Sequence, residues 1–70
     1  MSNDFNQKVK FCDIPLGTFF SLTGNKKDLR VFEKMPNGAI QIIDSLGVEV
    51  NYPIYPYLDM PVYIREQKGE

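Results

Sequence analysis

The sequence predicts an all-β protein, a very small barrel or roll of five short strands with one irregular crossover before the last. Three observations carry that prediction. The apolar runs are short and rich in Val, Ile, Phe and Tyr, the residues that suit a pleated and half-buried surface. Gly, Pro, Asn and Asp cut the chain between these runs, where turns need them. No segment carries a convincing helical period. The stretch Gln41–Leu46 is the one candidate, and its isoleucines favour strand.

The first element is read from Phe11-Cys12-Asp13-Ile14-Pro15-Leu16-Gly17-Thr18-Phe19-Phe20. It comprises an approach segment, a tight turn at Ile14-Pro15-Leu16-Gly17 and a strand from Thr18 to Leu22. Leu16, Phe20 and Leu22 are expected on one face and Phe19 on the other. A polar loop, 23–28, is too long for a two-residue hairpin. The second strand, Leu29 to Lys34, places Leu29 and Val31 inward, with Phe32 breaking the alternation. Met35-Pro36-Asn37-Gly38 is a strong turn, with Pro at the first central position and Asn-Gly tolerating positive φ.

The third strand, Ala39 to Asp44, has Ile40, Ile42 and Ile43 in close succession, as expected where both faces are partly covered. Ser45-Leu46-Gly47 closes a hairpin into the fourth strand, Val48 to Tyr52. Pro53 and Pro56 then exclude a regular central strand over 53–58, because proline donates nothing to a ladder. This Pro/Tyr-rich segment is the crossover. The last strand, Val62 to Arg65, points Val62 and Ile64 inward and Tyr63 and Arg65 outward. Short strands at even spacing, tight hairpins and a longer loop after the first strand fit an SH3-like barrel best. Residues 1–8 read as a flexible arm anchored at most by Phe5, residues 9–65 as the single domain, and residues 66–70 as a charged, flexible tail.

Seventy residues lie near the lower limit for one self-sufficient core. A single cysteine excludes an internal disulfide, and the absence of histidine makes a zinc site implausible. No cofactor motif is present. The net charge of −1 argues against a strong nucleic-acid binder, whose affinity rests on Lys and Arg displacing counterions. No apolar run approaches the ~20 residues that cross a bilayer, and the N-terminus lacks a signal pattern. A soluble cytoplasmic protein, with Cys12 reduced, is the expectation.

The combination Phe11-x-Asp13-Ile14-Pro15-x-Gly17-x-x-Phe20, then Val31-Phe32-x-Lys34-x-x-x-Gly38-Ala39, then Asp59-x-Pro61-Val62 resembles small uncharacterised proteins of phages and bacterial mobile elements. The resemblance spans most of residues 11–64 and rests on turn and core positions. It implies an SH3-type β-barrel and an accessory role, and it carries no catalytic residue across.

Five groups of residues stand out as candidates. Cys12 lacks a histidine partner to activate it and reads as a buried structural cysteine. Asp44 and Glu49 flank a hairpin and could face each other across strands, although two solvated acids beside a turn is the simpler reading. Asp13 and Asp59 precede turns and are expected to accept backbone hydrogen bonds there. Lys26, Lys27 and Arg30 form the one basic cluster, an alternative nucleic-acid contact on a small barrel. The leading candidate is the segment Tyr52-Pro53-Ile54-Tyr55-Pro56-Tyr57. Tyrosine offers a large apolar area with a polar tip, and proline lowers the entropy lost on docking. Tyr52, Tyr55, Tyr57 and Tyr63 are therefore the expected protein-binding residues. The expected activity is binding rather than catalysis, as an inhibitor or adaptor docking on a host protein or on copies of itself.

Overall fold

Six short antiparallel strands form two sheets in the computed structural model, which describes residues 5–65. They are β1 (Phe5–Lys10), β2 (Phe19–Phe20), β3 (Val31–Met35), β4 (Gly38–Ile43), β5 (Glu49–Ile54) and β6 (Pro61–Arg65). One sheet pairs β1 with β6, and the other runs β2-β3-β4-β5. Among the described residues the sheets do not close into a barrel, and the strand count is six rather than the expected five. The additional strand is β1. Phe5, Gln7 and Lys8, expected within a flexible arm, pair with Arg65, Ile64 and Tyr63, with a register shift at Asn6. Local sequence hides this strand because only Phe5 and Val9 are apolar, and its partner lies at the far end of the chain. The expected tail, 66–70, lies outside the described residues, as do residues 1–4 of the arm.

Ser21 and Tyr63 join the two sheets by exchanging both backbone hydrogen bonds at 2.8 Å. Ser21 is buried there, so its hydroxyl needs an internal partner. It finds one by donating to the Thr23 carbonyl at 2.7 Å, which also turns the chain away from β2.

The core is small: Phe11, Ile14, Phe20, Phe32, Ala39 and Val62, with Val9, Leu22, Ile54 and Ile64 packed against it. Phe20 sits at its centre, edge-on to Phe11 at 5.4 Å between centroids and stacked on Phe32 at 5.6 Å. Aromatic pairs in these geometries stabilise by roughly 0.5–1.5 kcal/mol beyond their area burial. The faces of the second strand differ from the expectation. Phe32 is buried and Leu29 is exposed, because the strand starts only at Val31 and its register shifts between Val31 and Phe32. Leu16 is likewise exposed, since it belongs to the turn before β2 and shares no strand face with Phe20.

The turns follow backbone chemistry closely, with two shifts of position. The first turn closes one residue later than expected, with Thr18 N–H donating to the Pro15 carbonyl and Gly17 taking φ +82°. Between β3 and β4, Gly38 and not Asn37 carries the positive φ, at +142°. After β4, the Asp44 carboxylate accepts the Leu46 and Val48 N–H groups, both at 2.9 Å. Pro53 lies within β5, which corrects the expectation that the strand ends at Tyr52. Proline is tolerated because β5 is an edge strand.

Candidate functional site

Strand alternation explains how the core gives way to an exposed surface. The row Phe20–Phe32–Gln41–Tyr52 crosses the sheet from β2 to β5 in register. Its first two members are buried, Gln41 is half-buried, and Tyr52 is exposed. The β1–β6 sheet meets the larger one at β2, through Ser21 and Tyr63. Gln41 of β4 and Ile54 of β5 instead line a cleft together with Tyr55, Pro56, Tyr57 and Met60 of the crossover.

That crossover is hydrogen-bonded through its backbone at Tyr57, Leu58 and Met60 and exposed at its rings. Phe11 N–H donates to the Met60 carbonyl at 2.9 Å, and Cys12 N–H to the Leu58 carbonyl at 2.8 Å. Met60 N–H closes a turn onto the Tyr57 carbonyl at 3.1 Å. The side chains of Tyr55, Tyr57 and Leu58 nonetheless remain 75%, 80% and 71% exposed. Tyr55 also depends on Gly38: a Cβ at that glycine would lie 2.7 Å from the Ile54 carbonyl oxygen and 3.0 Å from Cδ1 of the Tyr55 ring. Only glycine lets the hairpin and the crossover approach this closely.

Tyr55 and Pro56 form a ridge between two clefts, lining both. The first cleft, of about 480 Å³, has apolar surface from Leu22, Phe32, Ile54 and Met60. Tyr57 also lines it, and its polar members are Arg30 and Gln41. The second cleft, of about 410 Å³, is lined by Leu16, Met35 and Leu58, with Lys34 and Cys12. No Asp or Glu lines either one.

Both cations are held in place. The Arg30 guanidinium donates twice to the Asp28 carboxylate, from Nε at 2.9 Å and Nη2 at 2.8 Å. Asp28 further accepts the Thr23 hydroxyl at 2.8 Å and the Arg30 backbone N–H at 3.1 Å. The Arg30 guanidinium, more than any other neighbour, holds the Asp28 carboxyl well below the usual carboxylate range, and Asp28 in turn raises Arg30. Lys34 sits 4.9 Å over the Phe11 ring, and its ammonium donates to the Phe11 and Ile14 carbonyls at 3.0 and 2.8 Å.

The residues expected to bind protein thus fall into three places. Tyr55 and Tyr57 stand on the crossover beside the clefts. Tyr52 is on β5, on the same face as Ile54 and opposite Gln41. Tyr63 is apart from them, half-buried in β6 where Gly24 lies against its ring and where it holds the two sheets together. The basic cluster divides as well. Arg30 turns to Asp28 and the first cleft, whereas Lys26 and Lys27 are exposed in the loop and line neither cleft.

Cys12 is exposed, not buried, because a single 3-10 helical turn at Phe11–Asp13 points Phe11 inward and Cys12 outward. Its Sγ lies 3.7 Å from the Asp13 carboxylate. Asp44 spends its carboxylate on turn amides, while Glu49 stands opposite Ile43, so the two do not form a facing pair. Asp13 and Asp59 accept no backbone N–H among the described residues, unlike Asn25, Asp28 and Asp44. Among the described residues no three Cys, Asp or Glu side chains converge as a metal site.

Sequence reasoning missed Gln41, Lys34 and Met60 as members of the site. A signal existed for Gln41: it is the one polar residue in an isoleucine-rich run, two positions from buried Ala39 and so on the core side. No protein-family profile, curated protein or solved structure matches this chain.

Proposed function

We propose that this chain is a non-enzymatic protein-binding module whose working surface is the Tyr55–Pro56 ridge with Tyr57 and the clefts on either side. The observation that carries the reading is the contrast within the crossover. Its backbone is hydrogen-bonded at Leu58 and Met60, yet three large side chains stand 70% or more exposed on it: Tyr55 at 75%, Tyr57 at 80% and Leu58 at 71%. A rigid backbone presenting aromatic rings beside preformed clefts loses little entropy on docking. The buried core is built without these rings, from Phe11, Ile14, Phe20, Phe32, Ala39 and Val62.

The fold reading that accompanies this proposal is an open SH3-like arrangement. The β3-β4-β5 meander and the pairing of the first strand with the last support it. The resemblance to phage and mobile-element proteins adds an accessory role in the cytoplasm, as an inhibitor or adaptor of a host factor. The loop reading, with Lys26, Lys27 and Arg30 on nucleic acid, has less support because the three are divided: Arg30 lines the first cleft, whereas Lys26 and Lys27 line neither.

Affinity capture from host lysate with Tyr55→Ala and Tyr57→Ala beside the wild type tests the proposal. Both variants should keep the wild-type melting temperature within a few degrees and lose the captured protein. Unfolding of both would make the rings structural, and unchanged capture would place the surface elsewhere.

A further inference from the structure

Resting on that reading of the ridge, we infer that the partner is an acidic, apolar peptide segment, with one apolar side chain entering each cleft and carboxylates meeting Arg30 and Lys34. The two clefts share a wall, Tyr55 and Pro56, so a chain crossing the ridge reaches both. Each offers apolar surface of the size that takes an aliphatic or aromatic side chain: Phe32, Ile54 and Met60 in the first, Leu16, Met35 and Leu58 in the second.

The charge pattern specifies the rest. The protein carries nine acidic residues against eight basic ones, yet the two clefts contain one cation each and no carboxylate. Both cations retain donors. Arg30 uses Nε and Nη2 on Asp28, which leaves Nη1 without a partner among the described residues. Lys34 uses two of the three donors of an ammonium on carbonyl oxygens. In the first cleft Gln41 Nε2 is already bonded to the Ile43 carbonyl, which leaves its Oε1 to accept a peptide N–H. A guanidinium fixed by Asp28 is oriented before the ligand arrives, and such charge-assisted bonds are the stronger kind.

A single-stranded nucleic acid would also meet cations and tyrosines, but it calls for a track of cations along its backbone. Here there is one per cleft, each partly engaged, and the intervening surface is apolar. A carboxylate-bearing peptide satisfies all of these features together.

The test is selection from a displayed library of random peptides on the full chain. Fluorescence anisotropy then follows with synthetic copies of the selected peptides and with poly(U) as competitor. The expected winners combine Leu, Ile, Phe or Trp with Asp or Glu. Exchanging their carboxylates for amides should weaken binding about five- to tenfold at low salt, with the protein itself unaltered. Tyr55→Ala should abolish binding of the same peptides. Selected peptides that need Tyr55 but show no acidic preference would overturn this inference and leave the ridge as a protein-binding surface. Peptides that bind Tyr55→Ala as well as the wild type, or a selection that yields none, would overturn both. Poly(U) displacing the peptide with a steep salt dependence would replace the peptide by nucleic acid.

Discussion

Replacing Gly38 by alanine tests the close approach on which the ridge depends. The new Cβ would sit 2.7 Å from the Ile54 carbonyl oxygen and 3.0 Å from the Tyr55 ring, at a backbone φ of +142°. An L side chain held at such a φ costs about 1–3 kcal/mol. The tyrosine ring can swing away, but the Ile54 carbonyl belongs to a strand paired with β4 and cannot move alone. Overpacking of that kind adds about 1–3 kcal/mol. The sum, about 2–6 kcal/mol, is a large part of the ~4–10 kcal/mol expected for a chain of this length. Since 1 kcal/mol shifts the midpoint of so small a domain by about 4–8 °C, the melting temperature should fall by ~10 °C or more. Gly17→Ala is the internal control, because Gly17 has φ +82° but nothing within 4 Å of its would-be Cβ. It bears the conformational cost alone, about 1–2 kcal/mol. Thermal unfolding followed by circular dichroism compares the two directly. If Gly38→Ala melts no lower than Gly17→Ala, the steric argument is wrong and Tyr55 is not positioned by this contact.

Other outcomes follow from the same geometry. Phe20→Ala removes the centre of the aromatic core and should cost about 3–5 kcal/mol, lowering the melting temperature by ~12 °C or more; a cooperative melt near that of the wild type would refute it. Lys34→Met strips the Phe11 and Ile14 carbonyls of a donor and should cost about 1–3 kcal/mol in urea unfolding, against no change if that ammonium is merely solvated. Asp28 is depressed in the folded state, so the stability from its pair with Arg30 is fully present above the ordinary aspartate value of 3.8. It is lost only as pH falls through the lower folded value. The advantage of wild type over Asp28→Asn should therefore be flat from neutral pH down to about 5 and shrink below 3.8, and an advantage that grows on acidification would contradict the pairing.

Much of the fold was legible because its signals are local. Ile14 to Gly17, Met35 to Gly38 and Ser45 to Gly47 all mark turns, and each lies within a residue or so of its expected place. The alternation of Val62 and Ile64 against Tyr63 and Arg65 held for buried Val62 and exposed Arg65, whereas Tyr63, expected outward, is half-buried like Ile64 because it bridges the two sheets. What failed depended on pairing over long separations. β1 is too polar to announce itself, and the inward face of β3 turned on a register shift that no run of six residues encodes. The site was half legible. The tyrosines and prolines pointed to residues 52–57, whereas Arg30, Lys34 and Gln41 are cleft members only because three other segments fold beside the crossover.

By itself, then, the sequence determined the all-β class, the turns and the chemistry of the crossover, because glycine, proline and branched residues act on their own backbone. Tertiary structure alone decided which faces are buried, that Phe5 to Lys10 joins the fold, and that the cations and rings meet around shared clefts. Those outcomes depend on strand register and on contacts between opposite ends of the chain. A shift of one residue in register exchanges the two faces of a strand, and local composition does not fix it.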